Sequence, residues 1–336
     1  MNHEVIHASD AKGALAHNSL RQRALERLER EGADHEATGC VDRAQEYLTL
    51  CDGHSDPMRG MHTFFQFPQN PENALDVPWE CYVDGQTLFQ GALNATVTVA
   101  HKSLQPVGKW RTICQDFCRD YAFYERAIQL QQERQLSRRI VLARNEAILL
   151  VVDELSRPRI MRENHQRDLK LTMTLEYPRE LRAEQSSEFQ EALLLAGPEP
   201  TDALARVFPL MAQERRADNQ RDALTIMPRR RIIQINRERR GVTALSVLMI
   251  DFNARRLKRP YTWRPLAVGQ DMRLVNEEEA VARIAQLGVE QYVLYASTST
   301  RVATRSVLGL HTVSDFLFGK FTASRALTPI VDVSID

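Results

Sequence analysis

Residues 138–155 read RRIVLARNEAILLVVDEL, with apolar runs at 140–143 and 147–152 on either side of the turn-prone trio Arg144-Asn145-Glu146. Runs this short and this rich in aliphatic and β-branched residues predict a buried hairpin rather than a helix. Strands apolar on both faces require cover on both sides, which places the hairpin at the centre of the core, under a second sheet or a layer of helix. Asp153-Glu154 follow, two carboxylates expected to stop the buried strand and face solvent or a turn. Around this centre the period is two. Residues 79–83 and 86–90 flank Asp84-Gly85, a strong hairpin signal. In 93–100, Ala95, Val97 and Val99 alternate with Thr96 and Thr98. In 169–175, Leu169, Leu171, Met173 and Leu175 alternate with Lys170, Thr172 and Thr174, again a half-buried strand. Further strands are expected at 109–114, 121–130, 191–196, 203–208, 222–227, 231–236, 242–252, 291–296, 303–310, 316–321 and 330–333.

Helical patterns are few. Residues 14–32 place Leu15, Leu20, Leu25 and Leu28 among charges and end at Gly32, and a second helix is expected at 41–51. Residues 52–78, polar and punctuated by proline, read as a long connection or a partly ordered arm. Residues 276–287, NEEEAVARIAQL, start acidic, carry Ala280, Ile284 and Leu287 at helical spacing and stop at Gly288, which predicts a late helix. The expected fold is therefore mostly β: a large antiparallel β-sandwich, or two stacked sandwiches, with a short N-terminal helical arm and one late helix. The expected domains are a helical arm and linker at 1–78 and a sandwich domain at 79–336, with any further division near 180–220.

Composition narrows this picture only a little. With 43% hydrophobic and 26% charged residues, the 336-residue chain has the make-up of a soluble globular protein. Forty-four basic side chains balance forty-four acidic ones, which gives no global reason to expect nucleic acid or an anionic membrane as partner. Only six of the basic residues are lysine, a bias that a GC-rich genome explains simply, although arginine also suits bidentate carboxylate or sulfate binding. No signal peptide is visible, and no run reaches the ~18 apolar residues of a membrane span. Five scattered cysteines are expected to be reduced, in keeping with a cytoplasmic protein. Cys114 and Cys118 lack a second pair at zinc-ligand spacing, so no metal is expected, and no phosphate-binding or nucleophile-elbow motif implies a cofactor.

Candidate chemistry lies at strand ends. His101 leaves the 93–100 strand, His62 precedes Phe64-Phe65, and His311 has a similar setting; each could act as a base in a cleft or be a structural histidine. In 120–126, Tyr121, Phe123 and Glu125 share one strand face, and Tyr124 and Arg126 the other. A tyrosine beside an arginine suits proton transfer next to a bound uronate carboxylate; tyrosines packed at a sheet margin are the plainer alternative. Three basic clusters, Arg229-Arg230-Arg231, the run 237–240 that includes Arg239, and Arg255-Arg256 with Lys258-Arg259, fall around two strands. They would form a polyanion-binding edge if they gathered on one side, and a charged rim if they did not.

The order Trp110-Arg111, then the 121–130 strand, then RRIVLARNEAILLVVDEL resembles the β-sandwich portion of heparinase II/III-like polysaccharide lyases, over roughly 79–175. In that family the lyase site lies between a helical toroid and the sandwich, with asparagine, tyrosine and histidine as working residues. The helical stretch ahead of the sheet is too short for a toroid here, so the resemblance implies the sandwich role, with His101 and Tyr121 as the matching positions. Three functions follow as expectations. The first is a non-catalytic module that binds an acidic polysaccharide through Arg126, Arg229, Arg231, Arg239 and Trp110. The second is a β-eliminating lyase using His101 or His62 with Tyr121 or Tyr124. The third is an assembly module docking a protein partner or another copy of the chain.

Overall fold

The computed structural model describes residues 39–41, 47–51, 60–156, 167–199, 202–216, 222–299, 303–322 and 326–334. Its strands begin with β1 (Gly39–Val41), β2 (Tyr47–Cys51), β3 (Met61–Gln66), β4 (Asp76–Val83), β5 (Gln86–Val99) and β6 (Lys102–Ser103). The central run is β7 (Arg111–Phe117), β8 (Tyr121–Leu130), β9 (Arg134–Ala143) and β10 (Ile148–Ser156). Next come β11 (Arg167–Glu176), β12 (Arg182–Gln185), β13 (Ala192–Leu195), β14 (Ala203–Pro209), β15 (Ala223–Met227), β16 (Ile232–Gly241) and β17 (Ala244–Asp251). The last third holds β18 (Tyr261–Leu266), β19 (Gly269–Gln270), β20 (Arg273–Leu274), β21 (Ala280–Leu287) and β22 (Glu290–Ser297). It ends with β23 (Arg305–Val307), β24 (Leu310–Thr312), β25 (Phe316–Phe321) and β26 (Leu327–Val333).

These strands form four antiparallel sheets. A nine-stranded sheet runs β1-β2-β3-β4-β5-β11-β16-β15, with β6 added on β5. An eight-stranded sheet runs β12-β13-β14-β17-β10-β9-β8-β7, a five-stranded one β18-β21-β22-β25-β26, and a four-stranded one β20-β19-β23-β24. Three apolar cores bind them in a stack. Leu93, Val97 and Leu171 of the nine-stranded sheet meet Ile140, Val151 and Leu248 of the eight-stranded sheet in the first core. Val141, Leu150 and Val247 from the other face of that sheet meet Trp263, Leu294 and Phe318 in the second. Ala282, Val293 and Leu317 meet Val268 and Val307 in the third. Stacked sandwiches are thus the architecture, and the β9–β10 hairpin lies in the layer covered on both sides.

Four expectations change. The described residues of the helix expected at 41–51 are strand instead: Val41 ends β1, and 47–51 form β2, whose Leu48 and Leu50 alternate into the first core. The expected helix at 14–32 lies outside the described residues. The late helix is also a strand. Asn276 does cap a turn, its side chain accepting from the Glu278 N–H at 2.8 Å and its carbonyl from the Ala280 N–H. The turn does not propagate, because 280–287 is apolar on both faces. Val281, Ala285 and Leu287 enter the second core, while Ala280, Ala282 and Ile284 enter the third. A strand paired to β18 and β22 satisfies both, and packing overrides helix propensity. Residues 52–78, read as a connection, contain β3, which pairs β4 in the nine-stranded sheet.

Asp153 and Glu154 do not end the buried strand. Both are interior, within a β10 that continues to Ser156. Arg138, directly opposite Asp153, binds it through two N–O contacts of 2.7 Å, and Arg139 bridges Glu125 at 3.1 Å and Glu154 at 2.9 Å. Paired in this way, charges can lie inside a strand that the sequence pattern would close.

Candidate functional site

Strand pairing separates the predicted site residues. His101 is exposed at the β5–β6 turn, with φ 64°. That turn lies at the end of the molecule where Pro106 bridges Leu130 at the close of β8. Tyr121 opens β8, nine residues and therefore ~30 Å away. His62 instead lies near the Tyr121 end: it is buried on β3 opposite Cys51, and Arg144 donates both to the Cys51 carbonyl at 2.8 Å and to the Tyr121 carbonyl at 2.6 Å. The Tyr121 hydroxyl donates to Asp116, and burial together with that carboxylate holds the phenol well above its usual range. His311 is exposed on β24, in the four-stranded sheet.

Trp110, Tyr124 and Arg126 belong to the interior. The Trp110 indole N–H donates to the Ala74 carbonyl at 2.6 Å, and Arg126 donates to the Trp110 carbonyl at 2.8 Å while lying 4.6 Å over the Phe67 ring. The Tyr124 hydroxyl is 3.1 Å from the Thr112 hydroxyl. All three side chains are at most 3% exposed, so they face neighbouring strands rather than a bound chain.

The arginine clusters do not gather on one edge. Arg231 and Arg240 stand at opposite ends of β16, ~30 Å apart. Arg237 binds Asp222 and, at 2.7 Å, Glu277; Arg239 meets Glu277 at 3.2 Å. The acidic run that suggested a helix start is therefore the counter-charge of this cluster. Arg256 is enclosed by Asp251 at 2.7 Å, Glu290 at 2.8 Å and the Tyr292 hydroxyl at 2.8 Å, and Lys320 adds bonds to Glu290 and Glu146. This knot locks the ends of β9, β17, β22 and β25 together, and sequence spacing gave no sign of it.

Arg229, Arg230 and Arg231 are different. They are exposed and make no ion pair among the described residues. Pro228 fixes the first φ of a 3-10 turn over Pro228–Arg230, and Arg231 closes it in the left-handed region (φ 54°, ψ 47°), its N–H donating to the Pro228 carbonyl. The Arg231 carbonyl accepts the Tyr177 N–H at 3.0 Å, which holds the turn against the end of β11.

Beside that junction lies a cleft of about 550 Å³ on the outward face of the nine-stranded sheet. Val77, Trp79, Leu93 and Leu175 point into the first core, so Asp76, Pro78, Ala92 and Glu176 line the opposite face. Gln66 and Asn73 complete one wall, and Asn94 donates to the Asp76 carboxylate. Gly91, at φ +133°, lies under the Glu176 side chain, which a Cβ there would strike. Glu176 pairs with Ile232, and Arg231, one residue earlier, interacts electrostatically with Tyr177 rather than lining the cleft. Among the described residues there is no group of three or more His, Cys, Asp or Glu placed to hold a metal, and no helix long and apolar enough to cross a membrane.

No sequence-family profile matches the chain, and no curated protein matches it by sequence. Solved structures do share its fold. Heparan sulfate lyase HepC from Pedobacter heparinus, in a mutant form, superposes with a TM-score of 0.52 at 9% identity, over 79% of this chain and 43% of that one. A heparinase III gives 0.51 at 11% identity, over 79% of this chain and 42% of that one. The chain thus spans less than half the length of these neighbours, and at such identity the likeness is one of fold alone.

Proposed function

We propose that the protein is a carbohydrate-related β-sandwich module that binds an acidic polysaccharide without cleaving it, with Arg229 and Arg231, joined by Arg230, as its anion-holding groups. The observation that carries this reading is an exposed guanidinium turn that makes no ion pair among the described residues, on a fold shared with heparan sulfate lyases. Internal acids neutralise the other large arginine clusters in great part, whereas this one is presented to solvent on a rigid turn, where planar guanidiniums can take sulfate or carboxylate in bidentate fashion. The lyase alternative has less support. His101 and Tyr121 lie towards opposite ends of β8, and a phenol held above its ordinary range is rarely ionised, so little phenolate is present to abstract a proton.

The test is retention on immobilised heparan sulfate with salt elution, run beside an assay for the ultraviolet absorbance of a newly formed double bond. Salt-sensitive retention, reduced in an Arg229→Gln/Arg230→Gln/Arg231→Gly variant and unaccompanied by absorbance change, is the expected outcome. Absorbance that grows with time and is lost in Tyr121→Phe or His62→Ala would replace the binding reading with the lyase one. Absence of both signals would remove the glycan.

A further inference from the structure

We infer that the tip of the β21–β22 hairpin is a second contact site for an acidic polysaccharide, where Arg255, Arg259 and Arg264 take its sulfates or carboxylates around an apolar floor centred on Val289. This inference rests on the proposed function and deepens it. Gly288, at φ +64°, turns the hairpin, and Val289 beside it is 97% exposed. A single bare valine would mean little, but Leu308 is exposed as well and two hollows meet here. One, of about 330 Å³, is walled by Arg255, Arg259 and Leu287. The other, of about 580 Å³, is walled by Arg264, Ile284, Leu308 and Phe321, with the Gln291 amide among them. Val289 lines both, so the two adjoin across the hairpin tip.

The three guanidiniums differ from those inside the protein. They are exposed, and their side chains make no hydrogen bond or ion pair among the described residues. The turn that carries the first two is fixed by its backbone. Asn253 accepts the Arg255 N–H at 3.1 Å through its side chain, Arg206 donates to the Leu257 carbonyl at 2.7 Å, and the Gly288 N–H donates to the Pro260 carbonyl at 2.8 Å. The stem of Arg259 lies over Gly288, where a Cβ would come within 3.1 Å of it. Glu290 also lines the smaller hollow, but Arg256 and Lys320 hold it. Its knot sets Asp251, Glu146 and Glu290 against Arg256 and Lys320, so the exposed Arg255, Lys258 and Arg259 leave this corner with two net positive charges. Tyr261 pairs with Leu287 at the tip and Arg264 with Ile284, three residues or ~10 Å further along β18. Cations spread along a path suit an extended polyanion better than one small anion, and the apolar floor between them suits the C–H faces of its sugar rings. β16 and β17 are joined at 242–243 and face each other across the first core, so the start of β16 and the end of β17 lie at one end of the stack. The hairpin tip and the Arg229–Arg231 turn therefore stand at the same end, in different layers, within the span of one long chain.

Titration calorimetry of the full chain with a long heparan sulfate oligosaccharide is compared for the wild type, Arg255→Gln, Arg259→Gln, Arg264→Gln and Val289→Glu. Arg240→Gln, at the other end of β16, is the charge-matched control. Each of the three glutamine variants at the tip should weaken binding by roughly five-fold or more, as one charge-assisted hydrogen bond is lost at an exposed surface, and the control by less than about two-fold. Val289→Glu sets a carboxylate in the floor and should weaken binding at least as much. Tip variants that bind like the control, while Arg229→Gln/Arg230→Gln/Arg231→Gly binds weakly, would overturn the inference and leave the functional reading standing. A wild type that does not bind the oligosaccharide would refute that reading itself. Sedimentation velocity tests the other occupant: a wild type that is dimeric and becomes monomeric on Val289→Glu would show a second copy covering the tip, and the glycan site would fall. The substituted side chains are all exposed, and unfolding midpoints measured in parallel separate loss of fold from loss of binding.

Discussion

Replacing Asp153 by leucine leaves the Arg138 guanidinium buried without its counter-ion. Both side chains are 0% exposed, and the two contacts of 2.7 Å are parallel, so the pair is a bidentate bridge inside the eight-stranded sheet. Arg138 also donates to the Leu93 carbonyl at 3.0 Å, across the first core in the facing sheet, and its guanidinium lies 5.9 Å from the Trp110 ring centre. Breaking such a pair from one side costs about 3–5 kcal/mol, because water cannot enter to solvate the remaining charge. Removing both partners should cost far less, since two apolar side chains of similar volume bring no charge that must be desolvated. In Arg138→Met/Asp153→Leu the loss should stay within about 2 kcal/mol, mostly the Leu93 carbonyl bond and imperfect packing. Urea unfolding followed by tryptophan fluorescence checks this, with Trp110 as a reporter beside the pair. A single Asp153→Leu variant costing less than about 1 kcal/mol would show that the bridge is not dry, and a double variant as damaged as the single one would show that packing, not charge, governs the site.

Other measurements probe different levels of the structure. Burial alone would raise the Glu290 carboxyl, but hydrogen bonds from Lys320, Arg256 and Tyr292 outweigh it and bring it down to about 2. A folded value below the unfolded one gives stability that is present above the ordinary value of 4.5 and is lost as pH falls from there towards 2. Glu290→Gln should therefore flatten the acid limb of the stability curve by about 1–2 kcal/mol, after allowing for solvent at this partly exposed group; an unchanged slope would mean that the knot does not hold in solution. Gly91→Ala places a side chain at φ +133° and against Glu176, so it should destabilise by about 1–3 kcal/mol and reorient the cleft carboxylate, measurable as a lowered unfolding midpoint. A neutral Gly91→Ala would show that Glu176 does not cover this glycine as tightly as its geometry requires.

The β character of the protein was legible residue by residue. The Asp84-Gly85 turn joins β4 and β5 with both residues at positive φ, as the dipeptide predicts. The alternation in 169–175 is that of β11, whose apolar positions all enter the first core. Periodicity was misleading where a strand is buried on both faces, because a segment such as 280–287 satisfies helical and extended spacings alike. It also miscarried at Asp153-Glu154, since the arginines that neutralise them come from β9, and the register of that pairing is not written in β10.

The candidate site was less legible. Arg229 and Arg231 were visible as a cluster, but so were Arg237, Arg239 and Arg256, and composition offered no way to tell exposed cations from neutralised ones. Asp76, Glu176 and Gly91 drew no notice at all: they come from β4, β11 and β5, far apart in the chain, and share a cleft only because β5 pairs with both neighbours. Local sequence determined which segments are strands and which of their positions are apolar, because side-chain alternation and turn chemistry act over two to four residues. Tertiary structure alone decided which charges are opposed. An ion pair or a cleft depends on strand register and sheet stacking, and these are set by the sum of many long-range packing contacts rather than by any short stretch of chain.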